Sequence, residues 1–270
     1  MAFPKPTLEM PVIGLRKKTK TICALLALLL LCTGTGHTEN PQQVRVAVAA
    51  NFATCLKDLA PTFLELTGFE VVPIVGSTGR HFAQISAGAP FDVFLSADRH
   101  HAQLLMDNGR AEAAPTFIYA QGQLVLWLSE PTDLDLQDIL SDPELRPVAM
   151  ANPRLAPYGE AARQTLEHLK FPADLNGRLI MGTNVGQTWQ FAATGNAKAA
   201  FVSLSQVKNF PENQIIIVPI NLYQPIEQQA VLLTHAASLK PAREFLHFLA
   251  SEQAQQMIRA HGYLTGKQVP

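Results

Sequence analysis

Between Val44 and Asp98 the sequence twice runs from an apolar, β-branched segment, through a short loop of small or polar residues, into a helical pattern. The first segment is Val44–Val48, its loop is Ala49–Phe52, and the helix after it carries Cys55, Leu56, Leu59 and Phe63 on one face. The second is Val71–Val75, with the loop Gly76–Gly79 and a helix expected from near Arg80. Strand–loop–helix units in series predict an α/β fold with a parallel, doubly wound sheet. The start of each helix offers backbone N–H groups without intrahelical partners and the positive end of the helix dipole. Two such starts after adjacent strands can hold an anion without any charged side chain.

The remaining chain extends this grammar. Pro61 predicts a kink or a late first turn in the first helix, which Thr67-Gly68 ends. Ala87–Pro90 stops the second helix, Phe91–Ser96 reads as a short buried strand, and Asp98 is placed to cap a helix through Leu105. Past Gly122 come a strand over Gln123–Leu128, a short helix over Asp133–Leu140 and a strand over Pro147–Ala151. The loop Asn152–Gly159 then leads to a helix over Glu160–Lys170. Leu179–Met181 is a strand, Asn184–Ala193 a helix, and Ala199–Ser203, Ile215–Ile220 and residues 224–234 contain strands. Two helices, Pro241–Ala250 and Glu252–Ala260, finish the chain. Strand-to-helix loops thus occur both before and after Gly122, which predicts two lobes and a cleft between them.

The N-terminus belongs to a different class of sequence. Arg16, Lys17, Lys18 and Lys20 precede the apolar run Thr21–Cys32, and small residues follow over Thr33–Gly36. This is the order of a secretory signal, so residues 1–38 are assigned to one, cleaved near Gly36–Thr38. The run is too short for a comfortable membrane span. Cys32 closes it, but Leu31 is a poor fit to the small residue that lipid attachment wants. Removal of residues 1–38 leaves 16 basic and 21 acidic residues, a net charge of −5. That balance argues against nucleic acid as a partner. It also means that an anion must be held by local dipoles. Cys55 is the one cysteine left, so no internal disulfide is possible, and its apolar helix face predicts a buried small hydrophobe.

Each candidate binding residue also has a plain structural role. Asn51 can be an N-cap or an amide donor to a ligand, and Ser77 and Thr78 have the same two readings at the second helix. Tyr158 opens a helix after Pro157, and Val185 with Gly186 opens another; each can be a simple helix start. His100-His101 is a poor metal pair, because adjacent helical positions diverge by about 100° and no ligand cluster lies at suitable spacing. Ser96, Asp98 and His100 suggest a hydrolase only weakly, since no nucleophile-elbow sequence is present. Arg80 and Arg154 lie near the loops, either as ligand partners or as a solvated rim.

Taken together, several stretches resemble the periplasmic molybdate-binding receptors of ABC importers. They are VAVAANF, GSTGRHFAQISAGAPFDVFLSAD, ANPRLAPYG, the NVGQ of Asn184–Gln187, and GNAKAAFVSLSQ. The resemblance covers nearly all of the chain after residue 38. It implies a two-lobed type II periplasmic binding protein fold with the ligand cleft between the lobes, closing as a hinge. Residues 39–121 and 225–270 would form lobe 1, and 122–224 lobe 2. By motif, the ligand-binding residues would be Asn51, Ser77, Thr78, Tyr158 and Val185, the last two through backbone N–H groups. Some members carry a Tyr near the position of Ser203, so Ser203 is a departure and a further candidate. The resemblance implies no enzyme activity and no cofactor beyond the ligand, molybdate or tungstate. The expected partner is the membrane permease of an ABC transporter, and the expected state is a monomer.

Two other functions compete. One is a receptor for another small oxyanion such as sulfate or phosphate, and the other is a secreted enzyme on the same fold. A regulatory effector domain is disfavoured by the secretory signal. The loops Ala49–Cys55, Gly76–Arg80, Asn152–Gly159 and Gly182–Gln187 contain no Asp or Glu. Phosphate near neutral pH keeps a proton that wants such an acceptor, whereas molybdate, tungstate and sulfate offer only acceptors themselves. Loop chemistry therefore disfavours phosphate, and the resemblance alone favours the larger ions over sulfate.

Overall fold

Among the described residues, which are 42–264 except 173 and 176 in this computed structural model, ten strands form two five-stranded sheets. The expected signal segment and Cys32 lie outside the described residues. The first sheet contains β1 (Gln43–Ala49), β2 (Glu70–Gly76), β3 (Val93–Leu95), β4 (Ala111–Gly122) and β10 (Ile226–Leu233), in the order β2-β1-β3-β10-β4. The second contains β5 (Leu124–Leu128), β6 (Val148–Ala151), β7 (Leu179–Gly182), β8 (Ala199–Ser203) and β9 (Ile215–Ile217), in the order β7-β6-β8-β5-β9.

The two orders are equivalent, and neither sheet is purely parallel. β1 runs parallel to β2 and β3, and β6 parallel to β7 and β8. By contrast β10 is antiparallel to β3 and β4, and β5 is antiparallel to β8 and β9. This corrects the expectation of a parallel sheet. The chain passes between sheets from Gly122 to Leu124 and returns before Ile226, so β5 and β10 each enter from the neighbouring sheet and run against its parallel strands. Each sheet with its helices makes one lobe of a two-lobed α/β fold.

The helices start close to the expected loops. They are α1 (Ala53–Thr67), α2 (Thr78–Ser86), α3 (Arg99–Asp107), α4 (Leu136–Ser141), α5 (Pro157–His168), α6 (Val185–Ala193), α7 (Leu204–Val207), α8 (Leu239–Ala250) and α9 (Glu252–Ala260). Gly68 follows α1 in the left-handed conformation at φ 73°, which glycine adopts without a Cβ penalty. The side chain of Asp98 accepts from the His101 N–H and caps α3 as the sequence suggests.

Phe52, Leu56, Leu59 and Phe63 of the first loop and α1 pack with Phe245, Leu246 and Leu249 of α8 on one side of the first sheet. Phe63 and Phe245 meet edge-on at 5.3 Å, an arrangement worth about 0.5–1.5 kcal/mol beyond burial alone. The second face of this sheet carries Ile85 of α2 with Ala102 and Leu105 of α3. A separate core lies around β5, β6 and β8, with Ala161, Ala162 and Leu166 of α5 packed into it. Cys55 is a buried free thiol whose pKa is raised by burial and then by Asp58. Among the described residues no helix is long and apolar enough to cross a membrane.

Candidate anion-binding site

Five turns meet around one small cavity. Ala49, Ala50 and Asn51 follow β1, Gly76, Ser77 and Thr78 follow β2, and Ala97 follows β3. From the second lobe come Ala156, Pro157 and Tyr158 after β6, and Asn184 and Val185 after β7. All five expected ligand-binding residues therefore border the same space, while Ser203 does not. The free space is about 10 Å³, room for about one water-sized sphere. That is the scale of one small ion.

The lining contains no charged side chain among the described residues, and its polar side chains are those of Asn51, Ser77, Thr78, Tyr158 and Asn184. Ser77 caps α2, its Oγ accepting from the Arg80 N–H at 3.4 Å. Thr78 Oγ1 accepts from the Ala97 N–H at 3.0 Å. Each hydroxyl thus has an acceptor lone pair used, and among the described residues neither gives its own hydrogen to a protein group. The hydrogens remain for a ligand. As the first or second residues of α2, α5 and α6, Thr78, Tyr158 and Val185 have N–H groups without intrahelical acceptors. Ala156, at the cap of α5, brings no side-chain oxygen to compete. Three helix dipoles add to the field at the cavity.

The structure corrects the capping role considered for Asn51. Asn51 lies in a single 3-10 turn, Ala50–Phe52, and Phe52 precedes α1 without a side-chain cap. Its amide Nδ2 instead donates to Gln228 Oε1 at 2.8 Å and to the Tyr263 hydroxyl at 3.2 Å. Its carbonyl accepts from Tyr263 at 2.7 Å and from Ser205 Oγ at 3.1 Å. The side chain is buried in this network, so Asn51 faces the cavity mainly with its backbone. Tyr158 behaves alike: its hydroxyl accepts from Ser203 Oγ at 2.9 Å and is fully buried, which holds its pKa well above the ordinary tyrosine value. Gln228 Nε2 lies close to the same hydroxyl, outside normal hydrogen-bond geometry. A Cβ on Gly122 would stand 2.0 Å from that hydroxyl, so only glycine fits at this point of the crossing.

Sequence reasoning missed Gln228, Tyr263, Ser205 and His81. His81, on α2, is buried beneath Gly76, with Nε2 3.2 Å from the Val48 carbonyl and Nδ1 3.2 Å from Gln84 Oε1. It ties the end of β1 to α2 and so supports both turns of the first lobe. Burial lowers its pKa below the ordinary histidine value, despite bonds to Gln84 and Val48. In the histidine repeat, His101 Nδ1 pairs with Asp98 Oδ2 at 2.8 Å. Arg154 borders a wider outer space of about 280 Å³ that shares Ala97, Ala156 and Pro157 with the cavity. Another hollow in the second lobe is lined by Glu130, Asp142 and Glu144 together with Lys198.

Residues 44–264 match the family model described as bacterial extracellular solute-binding protein. The chain belongs to this family. Among its relatives is the molybdate-binding protein ModA of Rhodobacter capsulatus, 38% identical over 246 residues, covering 91% of this chain and 98% of that one. The molybdate-binding protein ModA of Azotobacter vinelandii is 38% identical over 251 residues, covering 91% and 97%. A solved structure, the periplasmic molybdate-binding protein of Azotobacter vinelandii, superposes with a TM-score of 0.78 at 36% identity, covering 84% of this chain and 99% of that one. These relatives are binding proteins, and the solute-binding family, not an enzyme class, accounts for the cavity.

Proposed function

We propose that this solute-binding protein is the periplasmic receptor of an ABC importer and binds molybdate, with tungstate as an alternative ligand, in the cavity between its lobes. The observation that carries the reading is an ion-sized space lined by hydrogen-bond donors from both lobes, with no charged side chain. Molybdate is a dianion that only accepts hydrogen bonds, and donors in a site shielded from water hold it more strongly than they would in solution. The two relatives named as molybdate-binding, each 38% identical, favour this ion over sulfate.

In this reading the ligand contacts are the N–H groups at Asn51, Thr78, Tyr158 and Val185 and the hydroxyls of Ser77 and Thr78. Ser203 acts behind Tyr158. Residues 39–121 and 225–270 move as one lobe against 122–224, and a monomer delivers the ion to a membrane permease. Export through a cleaved signal in residues 1–38 places it in the periplasm, and no cofactor takes part.

Calorimetric titration of the protein with molybdate, tungstate, sulfate and phosphate in one buffer tests the assignment. Molybdate or tungstate should bind tightest. Phosphate should bind at least about tenfold more weakly, because its unpaired proton costs roughly 1–3 kcal/mol and 1.4 kcal/mol is a factor of ten. Phosphate binding tighter than molybdate would overturn the reading, and equal sulfate and molybdate affinities would reduce it to a general oxyanion receptor.

A further inference from the structure

The three helices that bring N–H groups to the cavity share a local pattern. Thr78, Tyr158 and Val185 are each followed by glycine, at Gly79, Gly159 and Gly186. Gly159 has a reason inside its own lobe, since a Cβ there would lie 2.3 Å from the Ala151 carbonyl oxygen. The other two face the opposite lobe. The Gly79 N–H donates to the Leu155 carbonyl at 2.9 Å, a backbone bond from the start of α2 to the loop before α5. A Cβ on Gly79 would stand 3.2 Å from the Leu155 oxygen, 3.3 Å from its Cα and 3.5 Å from the Arg154 oxygen. On Gly186 it would stand 3.3 Å from Ala50 Cβ, on the first turn of the first lobe, and 3.0 Å from Asn184 Oδ1 in its own loop.

These contacts are made beside the residues that line the cavity: Thr78 and Ala156 for one, Val185 and Ala50 for the other. At Gly79 the atoms across the gap are all backbone, so no flexible side chain can give way. Helical propensity does not explain either glycine, since alanine is preferred over glycine in a helix.

We propose that Gly79 and Gly186 are specificity-determining residues that set how closely the two lobes approach, and so the size of the tetrahedral oxyanion the closed cavity accepts. This rests on the oxyanion-receptor reading. A methyl group at Gly79 holds the lobes apart by a few tenths of an ångström. Such a shift is on the scale by which the larger tetrahedral oxyanions exceed the smaller. A small anion then loses bond length to one lobe, while a large one still spans the gap.

The experiment is titration of Gly79→Ala and Gly186→Ala with molybdate, and displacement of bound molybdate by sulfate and by chromate, each beside the unsubstituted protein. Both variants should weaken molybdate binding, and should weaken the smaller competitors at least threefold more. The melting temperature without ligand should not fall for Gly79→Ala, because the change favours the helix itself. Equal loss for large and small anions, or no loss at all, would overturn the proposal. If the unsubstituted protein binds none of these anions, the receptor reading fails instead, and the two failures are distinct.

Discussion

Asn51 Nδ2 donates to Gln228 Oε1 at 2.8 Å, across 177 positions of sequence, and joins the first binding turn to the strand by which the chain returns from the second lobe. Gln228 Oε1 also accepts from the Tyr119 hydroxyl at 3.0 Å, and both residues are buried. The turn that carries the Asn51 N–H is therefore anchored to β4 and β10, the strands at which the chain crosses between the lobes. Asn51→Ala should lower stability by about 1–3 kcal/mol, because it leaves a buried acceptor short of a donor. Asn51→Asp should weaken molybdate at least about a hundredfold, since like charges a few ångströms apart repel by several kcal/mol at an effective dielectric near 20. Denaturant unfolding and calorimetry read these two effects. A neutral effect of Asn51→Asp on binding would show that the turn is not at the ligand.

Tyr158 contributes to the cavity through its backbone, and its hydroxyl is committed to Ser203. Tyr158→Phe is accordingly expected to cost about 1 kcal/mol of stability, the usual net worth of one hydrogen bond. Its molybdate affinity should stay within about threefold of the original, since less than 1 kcal/mol is at stake. A much larger loss of affinity would place the hydroxyl itself on the ligand.

Thr78 is the reverse case: it borders the cavity, and among the described residues its hydroxyl hydrogen goes to no protein group. Thr78→Val removes a hydroxyl donor to a charged acceptor, worth about 1.5–3 kcal/mol, or roughly tenfold and more in affinity. It also strands the Ala97 N–H, so stability should drop as well. Thr78→Ser keeps the hydroxyl and should restore both. If valine binds molybdate as well as threonine does, the hydroxyl is only a structural bond to Ala97.

His81 makes stability depend on pH. Its folded pKa lies below the ordinary 6.5 because burial disfavours the charged ring. The unfolded chain then binds the extra proton over that window, so stability rises with pH there. The contribution is fully present above about 6.5 and is lost as pH falls through the lower folded value. Denaturant midpoints between pH 5 and 7.5 should decline toward acid, and His81→Gln should flatten that part of the curve. An unchanged slope in the variant would assign the pH dependence to other groups.

Chain order and local signals carried much of this protein. The runs Val44–Val48 and Val71–Val75 became β1 and β2, and the loops after them border the cavity, because apolar β-branched runs and helix starts are local in origin. Asp98 and Gly68 took the capping positions their chemistry suits. The absence of acidic residues from four loops is legible in the sequence and persists in the folded cavity.

What the tertiary structure alone decided depends on long-range pairing. The strand β4 was not recognised, since only part of its 12 residues is buried and its pattern does not alternate cleanly. The antiparallel direction of β5 and β10 follows from where the chain crosses between lobes, which no local preference encodes. Asn51 has the side chain of a helix cap, yet Gln228 and Tyr263, brought in from the far end of the chain, outbid that local bond. Gly79 and Gly186 read as ordinary helix starts until the opposite lobe is in place. Their surroundings are atoms of Leu155 and Ala50, which the opposite lobe contributes.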